Sequence, residues 1–101
     1  MSSIIYRTGT VTSADQLTQK LVAFDIPVGT TSIHLKYSYT GREDGNVVDL
    51  GLLGVDKQFR GYSGGSKSQI MVANDEASPG YIPGLLAPGE WYVLLGIYKI
   101  T

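Results

Sequence analysis

Apolar and polar residues alternate with a period of two along much of the chain, which is the pattern of half-buried β-strands. The alternation is regular over 33–39 and over 22–26, where Pro27 ends it. The strongest strand candidate is 91–100, which is apolar on both faces. Stretches rich in β-branched, aromatic or other apolar residues predict further strands at 5–11, 47–55 and 68–73.

Turn-forming residues separate these stretches, as at 27–31, 41–46 and 61–65. Glycine supplies positive φ angles, and Asn and Asp hydrogen-bond to their own backbone, so such segments favour tight turns. Only 13–20 has a helix-like composition, and it is too short to predict more than one helical turn. The pattern predicts one all-β domain spanning 1–101. We expect an antiparallel β-sandwich, jelly-roll or immunoglobulin-like, with about six to eight strands.

Composition and charge exclude several classes of function. The chain has 8 Lys and Arg against 9 Asp and Glu, a net charge of -1, so it lacks the basic surface that nucleic acid or an anionic membrane requires. With no cysteine and one histidine, His34, it cannot supply a thiol nucleophile or a histidine-rich metal centre. The first residues lack the apolar region of a signal peptide, which favours a cytoplasmic location unless an N-terminal signal has been removed.

A glycine-rich segment is superficially similar to a catalytic motif. Ser63 lies within Gly-Tyr-Ser-Gly-Gly at 61–65, but a nucleophile elbow requires a following helix and a histidine base. The residues after 65 read as a strand, and His34 falls on the polar positions of its own strand, where a solvent-facing role is expected. We therefore interpret 61–65 as a turn and not as a nucleophile site.

Oxygen-bearing side chains cluster at Asp44, Asn46 and Asp49. Calcium favours such loops, but it needs about six to eight oxygen ligands, and Asp-Gly-Asn is also an ordinary hairpin turn. Asp49 stands in an apolar run, where a buried carboxylate must be paired or hydrogen-bonded. We expect its partners to be turn amides or an arginine such as Arg60.

The segment 75–90 is unusual because a long loop with three prolines and three glycines also carries the apolar residues Tyr81, Ile82, Leu85 and Leu86, which must pack on something. Two interpretations stay open: an ordered loop that caps an end of the sandwich, and a docking surface for another domain. The strand at 91–100 favours the docking surface, because a strand in a two-layer sandwich needs only one apolar face and this strand has two. Tyr92, Leu94 and Tyr98 are therefore expected to face a second layer of protein.

Three ordered segments resemble a known family. They are 59–65 (FRGYSGG), 77–84 (ASPGYIPG) and 89–99 (GEWYVLLGIYK), and 24–30 and 49–52 add to them. Together they resemble the N-terminal β-sandwich module of CehA/McbA-type metallohydrolases, bacterial members of the PHP superfamily (polymerase and histidinol phosphatase). The resemblance spans about 20–100 and places its specific motifs in the family's order.

The resemblance implies a non-catalytic accessory fragment of a larger hydrolase. The family's catalytic domain binds divalent metal through histidines and acidic residues and cleaves phosphoester or related bonds. None of those motifs occurs in this chain, so no catalytic residue, metal ligand or cofactor is assigned to it. Its expected partner is the catalytic PHP domain of the same protein, on which it would dock and shape access to the active site.

The residues expected at an interdomain or ligand surface are Tyr62, Ser63, Gly64, Pro79, Tyr81, Ile82, Pro83 and Trp91. The family also implies a further strand, so we expect a neighbouring chain to complete the sandwich, with a homo-oligomer forming along the last strand. The alternative is a stand-alone carbohydrate- or calcium-binding module, in which exposed aromatic rings would stack on sugars. An enzyme acting alone is disfavoured because no general acid and base pair is evident.

Overall fold

A computed structural model describes residues 5–64 and 68–100, and within them the chain is built almost entirely from strands. The strands are β1 (Thr18–Ile26), β2 (Ser32–Lys36), β3 (Val47–Leu53), β4 (Phe59–Ser63), β5 (Gln69–Ala73) and β6 (Gly89–Lys99). Short 3-10 turns lie at Ser13–Asp15, Arg42–Asp44 and Val55–Lys57. None of the helical turns in the described part is long or apolar enough to cross a bilayer. The all-β prediction and its strand number are confirmed.

Two antiparallel sheets form the sandwich. The larger sheet has the order β1-β6-β3-β4, and the smaller sheet pairs β2 with β5. The long apolar strand β6 lies in the middle of the larger sheet, bonded to β1 on one side and β3 on the other. The expectation of an unpaired edge beside the last strand is therefore wrong, whereas the homo-oligomer through that strand stays a prediction.

Two strand predictions differ from the structure. The segment 5–11 forms no strand, although its residues are good strand formers. Conversely, β4 occupies a stretch that the sequence assigned to a turn, because Gly61 reads as a turn residue. Gly61 has φ +146, and it serves as a strand residue whose missing side chain makes room for a neighbour.

The core fills the space between the sheets on one side only. Trp91, Leu50, Leu52 and Val72 are at most 1% exposed, and the loop between β5 and β6 covers them. On the opposite side β1 and β2 stand apart, leaving an open cleft of about 670 Å³. The inward side chains there are only half-buried: Val22, Phe24, Ile33, Leu35, Val93 and Leu95. The sandwich is thus closed along the β4–β5 side and open along the β1–β2 side.

Candidate functional site

The loop between β5 and β6, residues 74–88, is pinned to both sheets. On the β5 side, the amide of Ser78 donates to the carbonyl of Met71 at 2.9 Å, and the Met71 amide returns a bond to the Ser78 hydroxyl. On the β4 side, the amide of Tyr62 donates to the carbonyl of Gly80 at 3.1 Å. The loop therefore spans from one sheet to the other and caps this side of the sandwich, which is the first of the two interpretations of 75–90.

Arg60 organises the second half of this loop. Its side chain is 5% exposed, and its Nε and Nη2 both donate to the carbonyl of Ile82 at 3.2 and 3.1 Å. Its Nη1 reaches the carbonyl of Leu85 at 3.0 Å, and Nη2 also reaches that of Gly84 at 3.2 Å. The guanidinium lies 5.0 Å from the ring centroid of Trp91. Because arginine carries five donors in a fixed fork, one side chain holds several turns of loop in place.

Burial lowers the pKa of the Arg60 guanidinium from its ordinary value. The group stays charged, since arginine is protonated throughout the accessible pH range. Its charge is met by carbonyl dipoles and the face of Trp91. The expected pairing of Arg60 with Asp49 does not form, because Asp49 accepts its hydrogen bond from Tyr62 at 3.0 Å.

Tyr81 joins the loop to the centre of the sandwich. Its ring lies against Gly61, with which it forms an isolated β-bridge, and its hydroxyl donates to the carbonyl of Leu50 at 3.1 Å. The oxygens of Tyr81 and Ser63 are 2.9 Å apart. Because the one phenolic hydrogen is already given to Leu50, Ser63 is the donor in this pair. Ser63 is thus a buried structural hydroxyl, and its role agrees with the rejection of a nucleophile elbow.

The structure divides the predicted surface residues into two groups. Trp91, Tyr81 and Ser63 are 1%, 7% and 9% exposed and belong to the interior, so the expectation that they contact another domain or a sugar is corrected. The indole N–H of Trp91 donates to the carbonyl of Ala87, which also fixes its ring inside. The other predicted residues are exposed: Tyr62, Gly64, Pro79, Ile82 and Pro83.

Four exposed apolar residues stand on the backbone segments that Arg60 ties together, and we name them the Arg60 patch. It consists of Phe59, Ile82, Pro83 and Leu85, of which Phe59 is 54%, Ile82 46% and Leu85 79% exposed. The backbone on which each residue stands is tied to Arg60: Phe59 precedes it, Ile82 bonds to it through both main chain and side chain, and Leu85 accepts from it. The sequence predicted Ile82 and Pro83 as surface residues and placed Leu85 in the candidate docking loop, but it missed Phe59.

The ring of Tyr62 covers part of the outer face of the larger sheet. A cross-strand row runs from Leu21 through Leu94 and Gly51 to Tyr62, one residue from each strand. The Tyr62 ring lies over this row because Gly51 and Gly96 have no side chains. A Cβ at Gly96 would come within 2.7 Å of the Tyr62 hydroxyl. Leu94 is consequently only 9% exposed, whereas Tyr98 is 61% exposed, so the second protein layer expected over β6 stays a prediction.

The pKa of Tyr62 is raised above its usual range, first by burial and then by its hydrogen bond to Asp49. A raised pKa favours the neutral phenol in the folded state. Its contribution to stability is therefore complete below about pH 10 and is lost as the pH rises through the folded pKa. We expect Tyr62→Phe to lose about 0.5–1.5 kcal/mol at neutral pH, the usual net value of one hydrogen bond.

Above about pH 10 the difference between Tyr62→Phe and the parent chain should shrink, because only the parent must keep this phenol protonated. Urea unfolding at a series of alkaline pH values measures it. Tyr98→Phe is the matched control, since its side chain is 61% exposed. A constant difference across the alkaline range would contradict the role given to the Tyr62 hydroxyl.

The residues considered for metal binding have other roles. Within residues 5–64 and 68–100, no three His, Asp or Glu side chains gather where they could hold a metal ion. His34 is exposed on β2. The candidate calcium loop is a tight turn in which the amides of Asp44 and Asn46 both donate to the carbonyl of Gly41 at 3.0 Å. The carboxylate of Asp49 lies on the outer sheet face beneath Tyr62.

Comparisons with known proteins identify no relative of this chain. No family model, curated protein or solved structure matches the chain. The likeness to the PHP-type accessory module therefore stays a prediction, carried by the three motif segments. Those segments contribute Arg60, Tyr81 and Trp91, which contact one another through the loop and the core.

Proposed function

We propose that this chain is a non-catalytic β-sandwich module that docks on the catalytic domain of a PHP-type metal-dependent hydrolase and shapes access to its active site. The observation that carries the proposal is the Arg60 patch, an apolar surface on a rigidly held loop. The motif resemblance supplies the identity of the partner. The divalent metal would belong to that partner domain.

The patch has the properties of a preformed docking surface. Leucine and phenylalanine side chains that remain 79% and 54% exposed gain free energy when a partner removes them from water. Four hydrogen bonds from one guanidinium fix the backbone beneath them before any partner arrives. Little loop entropy is then lost on association, which favours binding by a surface of modest size.

The candidate catalytic groups of this chain support a non-catalytic role because each is occupied in holding the fold. Ser63 donates to Tyr81 inside the sandwich, and Asp49 accepts from Tyr62 on the sheet surface. The carbohydrate alternative loses two of its stacking rings, since Tyr81 and Trp91 are interior residues. Tyr62 lies flat against its own sheet.

The test uses the complete reading frame that contains this chain. If a metal-dependent hydrolase domain is encoded with it, Ile82→Asp combined with Leu85→Asp should break interdomain packing, because two carboxylates would be desolvated at the interface. We expect separate thermal transitions for the two domains, faster proteolysis between them and a raised KM. Val28→Asp is the matched control, since Val28 is 84% exposed in the β1–β2 turn, away from the patch.

Two results would contradict the proposal. A complete reading frame without a hydrolase domain would remove the partner. The docking surface would also be contradicted if the double variant changed the thermal unfolding, proteolysis and KM of the hydrolase no more than Val28→Asp does.

A further inference from the structure

We propose that the open cleft between β1 and β2 is an acceptor site for an extended strand of another polypeptide, one that alternates apolar with acidic residues. The inserted strand would complete the sandwich by β-augmentation, in which main-chain hydrogen bonds supply affinity and side-chain pockets supply selectivity. This inference goes beyond the docking function and uses a different surface, because the cleft and the Arg60 patch lie along opposite sides of the sandwich.

The first observation is the presence of two free strand edges facing one cleft. Within residues 5–64 and 68–100, β1 pairs as a strand only with β6, and β2 pairs only with β5. Among the described residues, each strand therefore has one edge along which no other strand is paired. Such edges are templates for another strand unless charge, proline or a covering segment protects them. The two-stranded sheet is also below the size at which a sheet is stable by itself.

The second observation is the incomplete burial of the apolar residues in the cleft. Ile33 and Leu35 on β2 face Val22 and Phe24 on β1, and all four are only half-buried. On the closed side, Leu50, Leu52 and Val72 are fully buried in equivalent inward positions. The cleft of about 670 Å³ lies where a further strand would bury the open side to the same degree.

The third observation concerns how an extended chain fits the cleft. Ile5 and Arg7 line it, whereas Tyr6 between them is 81% exposed. This alternation is that of a strand, although the segment forms no ladder with β1 or β2. An extended segment thus borders the cleft without pairing with either strand, which leaves the edges of β1 and β2 to an inserted strand.

The charged residues that line the cleft indicate which residues the inserted strand should carry. Arg7, His34 and Lys36 line the cleft together with a single carboxylate, that of Asp25. In the described part of the chain, neither Arg7 nor Lys36 forms an ion pair. Acidic residues on the inserted strand would complement these cations, and basic ones would be repelled. The acceptor site therefore favours a strand with inward apolar and peripheral acidic side chains.

The experiment titrates the 101-residue chain with the synthetic peptide Thr-Glu-Val-Thr-Ile-Glu-Val-Thr-Glu and follows backbone amides by NMR. We expect saturable shifts and slowed hydrogen exchange in β1 and β2. The same peptide with proline in place of its isoleucine should not bind, because proline removes a ladder donor. Lys36→Glu keeps the fold, since Lys36 is exposed, and should weaken binding of the acidic peptide about tenfold.

Lys99→Glu is the control of equal charge change, at an exposed position at the end of β6 that does not line the cleft. A peptide with lysine in place of each glutamate should bind less well than the acidic peptide to the parent chain and better to Lys36→Glu. The proposal is overturned by the absence of saturable shifts at millimolar peptide, by equal binding of the proline peptide, or by shifts confined to the Arg60 patch. Shifts in β1 and β2 that ignore the Lys36 substitution would overturn the charge assignment.

Discussion

Replacing Arg60 with alanine is expected to lower the free energy of unfolding by about 3 kcal/mol, because three part-buried carbonyls would each lose a charged donor. The ring of Trp91 would also lose the guanidinium that lies 5.0 Å from its centroid. Small domains are stable by only about 5–15 kcal/mol, so this loss is a large fraction of the total. Urea unfolding followed by tryptophan fluorescence measures it.

Arg60→Lys is the informative companion variant. Lysine preserves the positive charge but offers a compact ammonium in place of a planar fork, so it cannot reach Ile82 and Leu85 together as arginine does. We expect it to recover less than half of the stability lost in Arg60→Ala. Full recovery by lysine would show that charge and not fork geometry holds the loop, and a loss below about 1 kcal/mol in Arg60→Ala would contradict the organising role of this residue.

Replacing Gly61 with alanine is the second substitution of large expected effect. A Cβ there would lie 2.6 Å from Cγ and 2.7 Å from Cα of Tyr81, and the φ of +146 is unfavourable for any L side chain. Backbone strain and overpacking each cost about 1–3 kcal/mol, so we expect a combined loss of about 4 kcal/mol. The measurement is again the free energy of unfolding, with the exchange rate of the Ile82 amide as a local readout.

Gly64→Ala provides the matched control for this prediction. Gly64 lies three residues further along, is exposed, and a Cβ there would meet nothing within 4 Å. Its stability should stay within about 0.5 kcal/mol of the parent. If Gly61→Ala were as harmless as Gly64→Ala, the close contact between Tyr81 and β4 would be absent in solution.

Local periodicity was enough to predict the strands that carry an alternating or continuous apolar pattern. β3 and β6 are recognisable because they are apolar runs, whereas the turns that flank them are rich in glycine and polar residues. β4 was not predicted because a glycine such as Gly61 is typical of a turn. In the structure Gly61 lies in a strand and pairs with Tyr81, a residue distant in sequence. The strand predicted at 5–11 has the right residues but forms no ladder, since strand formation depends on a partner edge as well as propensity.

The candidate surface could be predicted only in part because neighbouring residues of one loop point in opposite directions. Tyr81 enters the core and Ile82 points outward, and the sequence contains no periodic signal that separates them. Trp91 has the size and ring of an exposed anchor, yet it stacks beneath Arg60. Leu85 is tied to β4 only through its hydrogen bond from Arg60, a residue 25 positions away in the sequence.

Hydrogen exchange at the Arg60 patch is the most direct measurement of whether this module docks on a catalytic domain. The complete protein and the isolated 101-residue chain would be compared under the same conditions, at the amides of Phe59 and residues 82–86. Docking predicts slower exchange and lower surface labelling of these residues in the complete protein, with Val28 unchanged. Equal exchange and labelling of the patch in both proteins would contradict it.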